Sequence, residues 1–271
     1  MPTRAAKIEA FHALHESGCF VIPNPFDMGS ARWLERQGFK ALATTSAGAA
    51  WSYGYPDGAL GRDVMLEHLT EIAAATDLPV NADFLNGFAD APEDLAPNVA
   101  LAIGTGIAGL SIEDMHADRR LYDTGLAVAR IEAARHALDE DGSGVMLVAR
   151  CEAFVIDLPD ALAIALDRVE RFVAAGADCI YVPFLSRRED IAAVVKAAGP
   201  KPVNVLARNL GGLTLDDLAG LGVRRVSVGG GLARKAWTAV IAAGKDLAAG
   251  RLDACDGGVS NAELNAIFAD S

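Results

Sequence analysis

No stretch of the 271-residue chain carries about 18 consecutive apolar side chains, the length a membrane-spanning helix needs. The first 18 residues are charged and helix-like rather than basic and then apolar, so no leader is read there. A cytoplasmic protein without a membrane partner is expected. Basic residues are also scarce: 24 Lys and Arg face 36 Asp and Glu, for a formal charge of -12 and a pI near 4.8. Such a surface repels phosphate backbones, which disfavours nucleic acid, and an anionic substrate would need a local metal or arginine to hold it. The cysteines are few and scattered, at Cys19, Cys151, Cys179 and Cys255, with no CxxC pair, which reads as free thiols in a reducing compartment. HExxH, nucleophile-elbow and Walker motifs are missing. No linker or low-complexity tract divides the chain, so residues 1–271 read as one domain.

What is present is a repeating pattern. Apolar β-like runs at 19–23, 41–45, 79–83, 109–113, 145–150, 179–182, 202–206 and 225–229 alternate with helix-like segments at 28–37, 63–76, 92–104, 123–138, 159–175, 188–198, 215–220 and 232–249. Gly38 and Gly176 read as helix ends, and Thr214 with Asp217 as an N-cap with its capping carboxylate. Eight rounds of strand and helix in about 250 residues predict a (β/α)8 TIM barrel. A doubly wound sheet is the alternative, but no GxGxxG follows the first strand. The Val228-Gly229-Gly230-Gly231 run after the last strand suits either an anion or a geometric turn. Residues 251–271 form a tail whose Leu264 and Ile267 spacing predicts a short extra helix, packed on its own barrel or on a neighbour.

Parallel strands of a barrel end at one rim, so Asp27, Ser46, Asp83, Glu113, Asp114, Arg150, Asn204 and Ser227 are expected to converge. Acidic groups in such a cluster call for a cation, and Mg2+ needs only one or two carboxylate or amide oxygens beside its waters. Each residue also has an ordinary structural reading: Asp27 as a helix N-cap, Glu113 as a partner of Arg150, Asp114 as a turn residue. Arg150 ends an apolar strand, where a guanidinium must be paired, and its planar fork suits a substrate carboxylate equally well. The 44–48 turn supplies hydroxyls and small residues. The 52–58 loop carries Tyr53, Tyr55 and Asp57 and reads as a rim segment, a lid or an ordinary turn. Of five histidines, His116 alone falls at the expected rim, as a candidate acid or base.

The runs Asn24-Pro25-Phe26-Asp27, Thr45-Ser46-Ala47-Gly48, Pro56-Asp57-Gly58, Ala82-Asp83, Ser111-Ile112-Glu113-Asp114 and Val148-Ala149-Arg150 resemble, in order, the isocitrate lyase and phosphoenolpyruvate mutase superfamily. The resemblance implies a tetramer of (β/α)8 barrels with C-terminal helices exchanged between subunits. It also implies a Mg2+ site, with Mn2+ as substitute, that binds 2-oxo or related dicarboxylic acids and stabilises an enolate. On that resemblance Ser46, Ala47 and Gly48 take the substrate carboxylate, with Asn204 beside it and Arg150 as clamp. Asp83, Glu113 and Asn81 hold the metal, Asp57 joins the shell, and His116 or Tyr53 moves protons. Two departures stand out. Asn81 occupies the place of a metal-binding Asp, and the Met115-His116-Ala117-Asp118-Arg119-Arg120 loop lacks the cysteine that acts as proton donor in the lyases. The expected activity is a Mg2+-dependent carbon-carbon lyase, decarboxylating an oxaloacetate-like acid or cleaving one like 2-methylisocitrate. Phosphorus-carbon chemistry on phosphonopyruvate, and 2-oxo acid binding without turnover, are the rivals.

Overall fold

The computed structural model describes residues 2–269; Met1, and Asp270 and Ser271 at the end of the 251–271 tail, lie outside the described residues. Eight strands alternate with helices: β1 (Phe20–Ile22), β2 (Leu42–Ala43), β3 (Val80–Asp83), β4 (Gly109–Glu113), β5 (Met146–Arg150), β6 (Cys179–Tyr181), β7 (Val203–Leu206) and β8 (Arg225–Ser227). The helices are α1 (Arg4–Glu16), α2 (Met28–Arg36), α3 (Ser46–Ser52), α4 (Arg62–Ala74), α5 (Pro92–Ile103), α6 (Thr124–Asp141), α7 (Ala161–Ala174), α8 (Arg188–Ala198), α9 (Leu215–Gly220), α10 (Gly231–Ala248) and α11 (Asn261–Phe268). All strand pairs are parallel, in the order β1-β8-β7-β6-β5-β4-β3-β2. The ring closes between its two edges through Ala43 N donating to Pro23 O at 3.0 Å, which makes the sheet a (β/α)8 barrel as the alternation predicts.

Local chemistry explains the boundaries. Strands covered on both faces can be apolar throughout, and Met146-Leu147-Val148-Ala149 is buried from end to end. Helix starts are capped: Asp27 accepts from Ser30 N in a capping box on α2, and Thr214 with Asp217 does the same on α9. Asp27 is therefore spent on its helix rather than on the rim. The segment at 44–48, expected as a hydroxyl-rich turn, starts α3 instead, with Thr45 as its N-cap accepting from Gly48 N at 3.2 Å.

The inside of the barrel is unusually polar. Its closed end is plugged by α1, whose Phe11 is fully buried. At Gly109 a Cβ would stand 2.6 Å from Asn81 Oδ1 and 2.7 Å from Phe11 Cε1, so only glycine lets β4 pass that plug. The apolar core lies between the strands and the helical ring. In contrast, α10 buries only Ala233 and leaves Trp237, Val240, Ile241 and Leu247 exposed. The four cysteines are free, Cys151 and Cys179 buried. Among the described residues no helix is long and apolar enough to cross a membrane.

Candidate active site

The C-terminal ends of the strands open into a cavity of about 880 Å³. Strand register assembles its centre. Glu113 at the end of β4 and Arg150 at the end of β5 are Cα partners, and Asp83 at the end of β3 lies beside Ser111 of β4. Arg150 Nη1 donates to Asp83 Oδ1 at 2.8 Å and lies 3.0 Å from Glu113 Oε1, while Nε donates to Glu152 Oε1 at 2.8 Å. The guanidinium also sits over the Tyr181 ring, 4.8 Å from its centroid, and its Nη2 has no protein acceptor among the described residues. Arg150 is thus a partner for three protein carboxylates, and it lines the cavity.

Negative charge exceeds what this one guanidinium neutralises. Burial, and then the neighbouring Glu152, Asp83 and Asp57, push Glu113 well above the usual carboxylate range, with Arg150 opposing. Burial raises Glu152 to about 7 against the pull of Arg150. Asp57 is raised by burial and by Asp83. Buried carboxylates held near one another in this way are the environment a hard dication relieves. Among the described residues no group of three or more His, Cys, Asp or Glu is placed to hold a metal ion by itself. Asp57, Asp83 and Glu113 are the carboxylates of the lining that could face a dication through intervening water.

The remaining expected site residues divide. Ser46, Ala47, Asp57, Asn81, His116 and Asn204 all line the cavity with Asp83, Glu113 and Arg150. Ser46 N is already used, donating to Asp83 Oδ2 at 2.9 Å. Gly48 lies behind the wall: its N–H caps back to Thr45, and a Cβ there would meet Thr45 Cγ2 at 2.6 Å and Phe26 Cβ at 2.9 Å. Its glycine serves packing, and Ala47 is the residue of the three with an uncommitted N–H. Asn81 is turned to the floor, where its Oδ1 accepts from Arg225 Nη1 at 3.3 Å and its Nδ2 donates to Ala82 O at 3.1 Å. Asn204 is committed at both ends, to Ser227 Oγ and Arg225 Nε, each at 3.0 Å. Tyr53 stands outside the cavity lining; it is 42% exposed and meets His68 edge-on. Asp114 is buried beneath the rim, paired with Arg168 at 2.8 Å and accepting from Glu152 N at 2.7 Å.

Several lining groups escaped the sequence reading. Glu152 follows β5 by two residues, and its adjacency to Arg150 was the available signal. Arg225 opens β8 deep in the barrel, and Arg119, Arg208, Arg234 and Asp90 line the mouth from four separate loops and helices. Nothing local marked them.

A model of the phosphoenolpyruvate phosphomutase family matches residues 11–248, all eight strands and the loops that form the cavity. The chain belongs to the phosphoenolpyruvate phosphomutase family. Within this mutase and isocitrate lyase superfamily, a Burkholderia cenocepacia J2315 structure described provisionally as a lyase/mutase superposes with a TM-score of 0.92, at 45% identity over 98% of this chain and 97% of its own. An uncharacterized Mycobacterium tuberculosis protein is 35% identical over 81% of each chain. The 2-methylisocitrate lyase of Shewanella oneidensis is 30% identical over 68% of this chain and 64% of its own. Members of the superfamily are lyases and mutases, which supports an enzyme acting on small organic acids.

Proposed function

We propose that this chain is a Mg2+-dependent carbon-carbon lyase that cleaves a small 2-oxo or 2-hydroxy (di)carboxylic acid and passes through an enolate. The observation that carries the reading is Arg150, fixed by Asp83, Glu113 and Glu152 yet presenting Nη2 to a cavity lined by further arginines. A planar guanidinium so fixed binds a carboxylate or an enolate oxygen without rearranging, which favours the charge that develops as the bond breaks. Asp57, Asp83 and Glu113 would hold a dication, Mg2+ with Mn2+ as substitute, which would supply further positive charge to the developing enolate. The Ser46 hydroxyl and Ala47 N–H take the substrate carboxylate at the mouth of α3. Asn204 acts from the floor, holding Arg225 and Ser227 in place. In the decarboxylating form, the pair of the breaking C–C bond becomes the enolate double bond, carbon dioxide leaves, and a proton is then delivered to C3. The enzyme works in the cytoplasm as a homo-oligomer in which α10 and α11 pack across subunits.

The mouth arginines Arg119, Arg208 and Arg234 also suit a phosphonate, which keeps phosphonopyruvate as the second reading. The test is a mass-spectrometric screen of 2-oxo, 2-hydroxy and phosphono acids with Mg2+ and with EDTA, beside Asp83→Ala and Arg150→Ala. Turnover of oxaloacetate or 2-methylisocitrate that needs Mg2+ and falls by about 100-fold or more in both variants is expected. Phosphonopyruvate turnover alone would replace the lyase with the mutase or hydrolase. Calorimetric binding of 2-oxo acids without any product would leave a binding protein.

A further inference from the structure

The turn after β3 contains two non-glycine residues at positive φ, Leu85 at 51° and Phe88 at 58°, a conformation L residues avoid. It is held by a buried cation. Arg130 of α6 donates through its guanidinium to the carbonyls of Asn86, Ala89 and Asp90, and stacks 4.2 Å from the Tyr122 ring centroid. Tyr122 Oη donates to Asp90 Oδ1 at 2.5 Å and accepts from Asn86 Nδ2 at 2.9 Å. The same Asp90 Oδ1 lies 3.4 Å from His116 Nδ1, and the His116 ring rests on Tyr122 with centroids 3.8 Å apart.

His116 is fixed from its own side as well. Met115 and Leu121 form an antiparallel bridge, and His116 N donates to Arg120 O at 2.8 Å across the hairpin. Both His116 and Asp90 line the cavity, His116 from the 115–120 loop that carries no cysteine and Asp90 from the turn after β3. With Nδ1 the ring nitrogen 3.4 Å from the Asp90 carboxylate, Nε2 is the one left for a ligand, an arrangement suited to a histidine acid or base.

We propose that Asp90 orients His116, and that His116 Nε2 delivers the proton to the enolate carbon. The proposal rests on the lyase reading above. In the step, the Nε2–H bond breaks and its pair stays on nitrogen; the enolate C=C pair forms the new C–H bond, and the keto group is restored. His116 is left neutral with its proton on Nδ1 toward Asp90, and solvent returns the second proton. Tyr122 and Arg130 act through Asp90 as positioning residues.

The test combines proton exchange at the methyl group of pyruvate, followed by NMR in D2O with Mg2+, with alkylation by 3-bromopyruvate mapped by mass spectrometry. His116→Gln is expected to slow exchange about 100-fold or more while oxalate affinity stays within about twofold. Asp90→Ala should slow it about tenfold or more, and Asp90→Glu should restore most of the rate. In the labelling arm Nε2 attacks C3 of 3-bromopyruvate, the C–Br bond breaks and bromide leaves. His116 should carry the adduct, formed more slowly in Asp90→Ala at an unchanged unfolding midpoint. Wild-type exchange rates in His116→Gln, an unlabelled His116, or equal labelling in Asp90→Ala would each overturn the proposal. If the wild type neither exchanges pyruvate protons nor turns over any acid, the lyase reading fails by itself, and the labelling decides whether Asp90 orients His116.

Discussion

Glu152 gives the site a measurable pH signature. It is buried at 1% exposure with Oε1 on Arg150 Nε, and burial lifts it from 4.5 to about 7. A folded-state value above the unfolded one means that the folded chain binds the extra proton. Its stabilising share is complete below about pH 4.5 and is lost as pH rises through 7. Raising one carboxyl over that interval corresponds to about 3 kcal/mol between acidic and mildly alkaline buffer. Glu152→Gln keeps an oxygen for Arg150 and removes the titration. It also removes a repelling neighbour of Glu113, which is pushed up in the same direction, so both effects flatten the profile of the variant. The assay is the urea midpoint by tryptophan fluorescence in metal-free buffer from about pH 5 to pH 8. At a slope of about 3 kcal/mol per molar, the wild-type midpoint should fall by roughly 1 M relative to that of the variant. Midpoints that move in parallel would refute the account of Glu152 as a proton-binding buried acid.

Arg225 is 2% exposed and donates to Asn204 and Asn81, with His15 Nε2 at 3.4 Å and no carboxylate partner among the described residues. Arg225→Met should therefore change stability by less than about 2 kcal/mol, because the lost hydrogen bonds are offset by relief of a buried charge; a loss above about 4 kcal/mol in urea denaturation would contradict this. On α10, Val240 and Ile241 are 58% and 52% exposed. Val240→Lys with Ile241→Lys is expected to lower the mass seen by light scattering with circular dichroism unchanged, and an unchanged mass would argue against packing through this helix.

The barrel was legible because its signals are local. The pattern of β4 needs no distant information, α8 stops at Gly199, and α9 starts at the Thr214 cap. Asp83, Glu113 and Arg150 were legible for a related reason: a strand end has a known destination once the barrel is assumed. Tyr53 shows the limit, since a loop near the rim can turn its side chains to either side, and this ring faces His68. Asn81 shows another. Its place in the motif pointed to the metal, but Arg225, 144 residues further along, claims its oxygen. Asp90 became visible only through Arg130 and Tyr122, which reach it across 32 to 40 residues.

Among the described residues the two edges of the barrel are joined by a single backbone bond, from Ala43 of β2 to Pro23 just past β1, yet Asn24 spans that region with its side chain. Its Nδ2 donates to Thr44 O at 2.8 Å, and its Oδ1 accepts from Val228 N at 2.8 Å and Gly229 N at 2.9 Å. One carboxamide thus fastens the ends of three strands where the ladder is thinnest, and Asn24 lines the cavity itself. The barrel is latched at its thinnest point by a side chain that is also part of the cavity wall.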